Sequence, residues 1–90
     1  MISGFERHSQ IMRIIIILKE KGEVNFQSFI DEYEISSTTL YRTLDKLKSM
    51  GIISTRIDTK SYPNKTMIFL TDKGHNVAQK LKEIEEILKG

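Results

Sequence analysis

Between Asn25 and Thr71 the chain lays out, in order, a short amphipathic helix, a turn, a second helix with one leucine face, and two strands around a polar loop. No other stretch constrains the fold as tightly. Leu40, Leu44 and Leu47 stand at i, i+4 and i+7, which predicts a helix over Ser37 to Met50 with one buried stripe. Ser36 suits its N-cap, with Thr39 where a full capping box carries glutamate, and Gly51 stands where a left-handed C-terminal residue is expected. At about 100° per residue, Thr38, Arg42, Asp45 and Ser49 point nearly opposite the leucines, flanked by Thr39, Tyr41 and Lys46. One face packs; the other is short, polar and partly basic.

The neighbouring segments extend this pattern. Phe26, Phe29, Ile30 and Tyr33 fall on one face of a helix predicted over Phe26 to Tyr33, with Glu23 to Asn25 capping or briefly preceding it. Glu34 and Ile35 then form a short turn with Ile35 tucked inward. Ile52 to Ile57 and Thr66 to Leu70 are rich in β-branched and aromatic residues, and Asp58, Ser61, Pro63 and Asn64 lie between them, so a hairpin with a long loop is expected. Lys60, Tyr62 and Lys65 sit on or near its tip. Thr71 is placed to cap a last helix with Asp72 in its first turn. Gly74 costs about 1 kcal/mol against alanine in a helix interior, and the close approach of another backbone would account for it. The expected class is mainly α with a small β-hairpin, in the order helix, helix, helix, strand, strand, helix.

Ninety residues allow one small domain, 1–90, because a chain of this size buries only about 60 to 65% of its unfolded surface. With no cysteine, neither disulfides nor thiolate metal sites can supplement that core. The terminal helices suggest where further burial comes from. Phe5 to Lys21 reads as a helix whose residues Ile11, Met12, Ile14, Ile15, Ile16, Ile17 and Leu18 wrap most of its circumference, so more than one side needs cover. In the last helix Val77, Leu81, Ile84 and Leu88 form a seam of less than three heptads. A second copy of the chain is the simplest supplier, with Ile11, Ile15, Leu18, Val77, Leu81, Ile84 and Leu88 at a homodimer interface. The longest apolar run, Ile14 to Leu18, is far below the ~20 residues of a membrane span and no small-residue cleavage site follows it, so a cytoplasmic protein is expected.

Net charge is only +2, but it is unevenly distributed. Residues 37–66 carry six basic side chains against two acidic, a local +4, while residues 1–36 carry −2 and the remainder is neutral. Positive charge gathers where the second helix and the hairpin would present it to a polyanion.

The segment Ser36-Ser-Thr-Thr-Leu-Tyr-Arg-Thr-Leu-Asp-Lys-Leu-Lys-Ser-Met-Gly-Ile-Ile53 resembles the recognition helix and first wing strand of winged helix-turn-helix transcription regulators of the MarR and PadR type. Phe69-Leu-Thr-Asp-Lys-Gly74 is similar to the second wing strand running into the dimerisation helix of the same families. The resemblance covers about Asn25 to Leu88. It implies a homodimeric regulator, with repression the expected sense, that sets its recognition helices in successive major grooves while the wings, residues 52–70, reach the flanking backbone or minor groove. Two departures stand out. Regulators of the MarR type are usually longer, with extra terminal helices that shelter a ligand pocket, which argues against a small-molecule effector. The wing tip also lacks arginine, so Lys60 or Lys65 would have to serve there.

Within that frame Arg42 is placed to meet a guanine edge, and Thr38, Thr39, Tyr41 and Lys46 share its face. Ser37, Thr38 and Thr39 at the helix start offer hydroxyls and free amides to phosphate, or simply cap the helix. Lys46, Arg56, Lys60 and Lys65 would add sequence-independent phosphate attraction, although surface cations are commonly just solvated. His8 and His75, far apart and without cysteine, make no case for a metal. No cofactor is implied, and no nucleophile, base pair or glycine-rich phosphate loop supports an enzyme. Two other readings remain open: a winged helix used for protein interaction, and an architectural protein that binds DNA without sequence preference.

Overall fold

The computed structural model describes residues 3–89, with side chains from Gln10 to Lys89. His8 lies outside the described side chains. Seven elements follow one another: α1 (Ser3–Lys21), β1 (Glu23–Asn25), α2 (Phe26–Asp31), α3 (Ser37–Ser49), β2 (Ile53–Asp58), β3 (Lys65–Leu70) and α4 (Asp72–Lys89). The three strands form one antiparallel sheet in the order β1, β3, β2. Helices cover one of its faces. This is a winged helix fold.

The third strand corrects the sequence reading, which treated Glu23 to Asn25 only as the approach to a helix. Val24 pairs with Ile68, which in turn pairs with Thr55, so β1 lies along the far edge of β3. Three residues are too few to show an alternating pattern, and the strand exists because β3 supplies the partner. Asn25 serves both elements, since its side chain then caps α2 by accepting from the Gln27 amide at 2.9 Å.

α2 is shorter than its apolar face suggested, ending at Asp31. Its exit depends on Glu34, which adopts a positive φ of 56° so that the Ile35 amide can reach back to the Phe29 carbonyl at 3.1 Å. Ile35 is thereby buried, as expected. α3 starts on Ser36, whose hydroxyl accepts from the Thr39 amide at 3.3 Å. It stops on a Schellman turn: Gly51, at φ +76°, donates to the Lys48 carbonyl and Ile52 donates to the Leu47 carbonyl, each at 3.0 Å.

Gly74 has the neighbour its position implied. A Cβ there would overlap the carbonyl oxygen of Ile52, so the start of α4 is in direct backbone contact with the link between α3 and β2. Thr71 stitches the same junction. Its hydroxyl accepts from the Gly74 amide at 3.0 Å and donates toward the Gly51 and Ile52 carbonyls, while Lys73 Nζ donates to the Met50 carbonyl at 2.7 Å. The C-terminus of α3 is held from three directions.

The core joins Ile14, Ile15, Ile17 and Leu18 of α1 to Phe29, Ile35, the α3 leucines, and Val24, Ile53, Ile68 and Leu70 of the sheet. Side chains such as Phe29, Ile14 and Leu40 keep no exposed surface, and each such burial stabilises by about 1.5 to 3 kcal/mol before conformational entropy is set against it. Ile15 and Leu18, expected at a dimer interface, are 2% and 0% exposed within the single chain. They have nothing left to offer a partner. Ile11, Val77 and Leu81 are half-buried and also pack against this core, because α1 and α4 lie on each other. Of the seven expected interface residues, only Ile84 and Leu88 are largely exposed, at 45% and 59%.

Candidate nucleic-acid interface

α3 divides as its spacing predicted. Leu40, Leu44 and Leu47 are buried, joined by Thr43, while Ser37, Thr38, Thr39, Tyr41, Arg42, Asp45, Lys46 and Lys48 are exposed. Thr43 went unnoticed because a hydroxyl gives no apolar signal, yet it completes the inner face one residue from Leu44. Among the described residues neither Arg42 nor Lys46 forms an ion pair, and Asp45 does not neutralise its neighbour. The outer face therefore presents Arg42 and Lys46 unpaired, with Lys48 exposed as well, and a row of hydroxyls at the start of the helix.

Tyr41 stands at the edge of this face. Its ring packs on Phe26 of α2, with centroids 4.9 Å apart and planes tilted by 44°, and it remains 60% exposed. The ring contact is with α2. It orients the ring while leaving most of it open.

The loop between β2 and β3 is organised by Asp58. One carboxylate oxygen accepts from the Lys60 amide at 3.0 Å and the other from the Ser61 hydroxyl at 3.4 Å. The turn projects Lys60, Tyr62 and Lys65, all exposed, with Tyr62 wholly in solvent. Two cations and an aromatic ring thus sit exposed at or next to the tip of the hairpin.

Arg56 departs from expectation. Its Nε and Nη2 donate to the two carboxylate oxygens of Glu23 at 2.6 and 2.7 Å. The bidentate pair holds the Glu23 carboxyl below its ordinary pKa and raises that of Arg56. A cation so engaged does not count among the free charges of the wing. The pairing was invisible in the sequence because the partners are 33 residues apart and meet only through the unforeseen strand β1.

Elsewhere, Met12, Ile16, Ile17 and Leu88 wall an apolar groove of about 350 Å³ between α1 and α4, with Arg13, Glu85 and Lys89 at its rim. His75 is exposed, its Nδ1 3.4 Å from Lys19 Nζ. Among the described residues no cluster of three or more His, Asp or Glu side chains is placed to hold a metal, and no helix is long and apolar enough to cross a membrane.

A helix-turn-helix with one sealed face, one unpaired polar face and a basic hairpin beside it defines a nucleic-acid-binding class of domain. The sequence agrees: residues 11–88 match the winged helix DNA-binding domain, and the chain belongs to that family. It is 35% identical over 89 residues to the uncharacterized protein MJ0944 of Methanocaldococcus jannaschii, covering 98% of this chain and 73% of that one. The fold is similar to that of a transcriptional regulator homologue from Pyrococcus horikoshii, with a TM-score of 0.78 at 17% identity over 91% of this chain and 82% of the other. A PadR family transcriptional regulator from Eggerthella lenta gives 0.75 at 19% identity, covering 94% and 79%. A SlyA-like transcription regulator from Listeria monocytogenes gives 0.76 at 20%, covering 88% of this chain but 52% of that one. At these identities the likeness to solved structures concerns the fold.

Proposed function

We propose that this chain binds double-stranded DNA sequence-specifically, as a homodimeric transcription regulator. One observation carries the reading: α3 buries its leucine face, while Arg42 and Lys46 stand on the opposite face with no ion-pair partner among the described residues. A guanidinium left free beside short hydroxyl side chains suits bidentate contact with a guanine edge in the major groove. Ser37, Thr38 and Thr39 then meet backbone phosphate at the start of the helix, where free amides point outward. Tyr41 lies along the same groove wall. Lys60 and Lys65 bring the wing to the flanking backbone or minor groove, and their contribution is independent of sequence.

The second copy is supported by what α1 and α4 leave uncovered. Ile84, Ile87 and Leu88 are 45%, 75% and 59% exposed, and Leu88 also lines the groove formed with Met12 and Ile16. Burying that surface in a symmetric pair would remove the apolar exposure and set two recognition helices on one face. Repression by occupancy is the mode of regulation that needs nothing beyond binding.

Selection of bound duplexes from random DNA tests the reading. Two inverted half-sites with centres about 10 base pairs apart are expected. Equal affinity for unrelated duplexes with a steep salt dependence would instead indicate an architectural protein, and no affinity even at low salt a protein-interaction module.

A further inference from the structure

Arg56 is the only arginine of the hairpin, and it is drawn away from the hairpin tip. The register makes this plain. Arg56 shares a cross-strand row with Met67 and Asn25, whereas Glu23 lies in the row of Phe69 and Ser54, two rows nearer the base of the wing and on the same face of the sheet. To reach Glu23 the guanidinium leans backward across β3. Both carboxylate oxygens are taken, at 2.6 and 2.7 Å, in the fork geometry by which arginine also grips a phosphate. The side chains remain 50% and 33% exposed, so nothing encloses the pair, and a denser anion can approach the same donors.

We propose that Glu23 is an internal competitor for the DNA backbone: by engaging Arg56 it withholds one cation from the phosphate-facing set of the wing and lowers affinity for every duplex alike. The inference rests on the DNA-binding reading above. Its physical content is that one guanidinium fork cannot serve a carboxylate and a phosphate at once. A phosphate contact carries no sequence information, so withholding it changes the strength of binding and leaves preference among sequences untouched. The short strand β1 acquires a role beyond capping α2, since it delivers the carboxylate to the outer face of the wing. A surface ion pair of this kind contributes little to folding, so its removal leaves the fold in place.

Three chains decide the matter: the unaltered protein, Glu23→Gln, and the double variant Glu23→Gln with Arg56→Gln, which restores the neutrality of the pair. Each is titrated with a selected duplex and an unrelated one across a range of salt. Glu23→Gln is expected to bind both duplexes about three- to tenfold tighter at low salt, with a salt slope steeper by about 0.9, the value for one added phosphate contact. The double variant is expected to match the unaltered chain in affinity and slope. Unchanged or weaker binding by Glu23→Gln would overturn the proposal, and so would a double variant whose slope is shallower by about 0.9, because Arg56 would then already be on DNA. Tightening confined to the selected duplex would overturn it too. Should circular dichroism show Glu23→Gln unfolded, Glu23→Ala is titrated in its place, with the same outcomes supporting or overturning the proposal. Failure of the unaltered chain to bind either duplex would bring down the DNA-binding reading itself, an outcome distinct from the others.

Discussion

α3 and α4 both carry apolar stripes at helical spacing, yet the fold treats them differently. The stripe of α3 is consumed inside the chain: Leu40 and Leu47 are fully buried and Leu44 nearly so. The stripe of α4 is consumed only at its start, where Gly74 and Ala78 are buried against the end of α3 and the core, while Ile84, Ile87 and Leu88 emerge toward solvent. A helix satisfied on its apolar side has only its polar side to offer, and α3 offers hydroxyls, Arg42 and Lys46. A helix left half-covered offers apolar surface, which suits another protein surface and not nucleic acid. The two ends of one small domain thus suit partners of opposite chemistry.

The largest expected effect lies on the consumed side. Leu47→Ala should destabilise the chain by about 2 to 5 kcal/mol in urea unfolding, through lost burial and the cavity left beneath the Schellman turn. A loss below 1 kcal/mol would mean that α3 is not anchored as described. Gly74→Ala should cost about 1 to 3 kcal/mol by overpacking, because its methyl group meets the Ile52 carbonyl and the α3–α4 junction must open. If thermal unfolding showed it as stable as the parent, the direct backbone contact would be refuted.

Arg42→Ala separates function from folding. Its side chain is exposed, so stability should stay within about 0.5 kcal/mol, while affinity for the selected site falls by about 1 to 3 kcal/mol in a gel-shift titration. Unaltered binding would show that α3 presents a different face. On α4 the contrast reverses: Ile84→Lys with Leu88→Lys should leave the isolated chain folded within about 0.5 kcal/mol but convert a dimer to a monomer in sedimentation. Persistence of the dimer would move the interface elsewhere.

The smallest effect is one of pH. Arg56 depresses the Glu23 carboxyl, so the folded chain binds that proton less readily than the unfolded chain does. The pair's contribution is fully present above the ordinary carboxylate pKa and is lost as pH falls through the lower folded value. Glu23→Gln should therefore flatten slightly the decline of melting temperature on the acid side. An identical decline in both chains would show that the pair is already broken in solution.

Much of this was legible in the residues themselves. The cap at Ser36, the left-handed Gly51 and the three leucines are local signals within one helix, and each appears where expected. Gly74 was legible as an anomaly, since a glycine inside a helix needs a reason, although its neighbour Ile52 could not be named. What escaped depends on partners distant in sequence. β1 exists because β3 lies beside it. Arg56 looked like any exposed wing cation until β1 brought Glu23 across the sheet. Ile15 and Leu18 were assigned to a second chain because a helix apolar on most sides needs cover; α4, the sheet and α3 turn out to supply it.

The sequence alone determined the order of the four helices and the two hairpin strands, the polarity of the two faces of α3, and the concentration of positive charge between residues 37 and 66. Periodicity, capping and local charge act over a few residues, and a few residues suffice to read them. The tertiary structure alone decided which cations stay free, which isoleucines belong to the core, and which apolar surface is left over. Pairing and burial are properties of contacts between distant segments, and those contacts exist only once the chain has closed on itself.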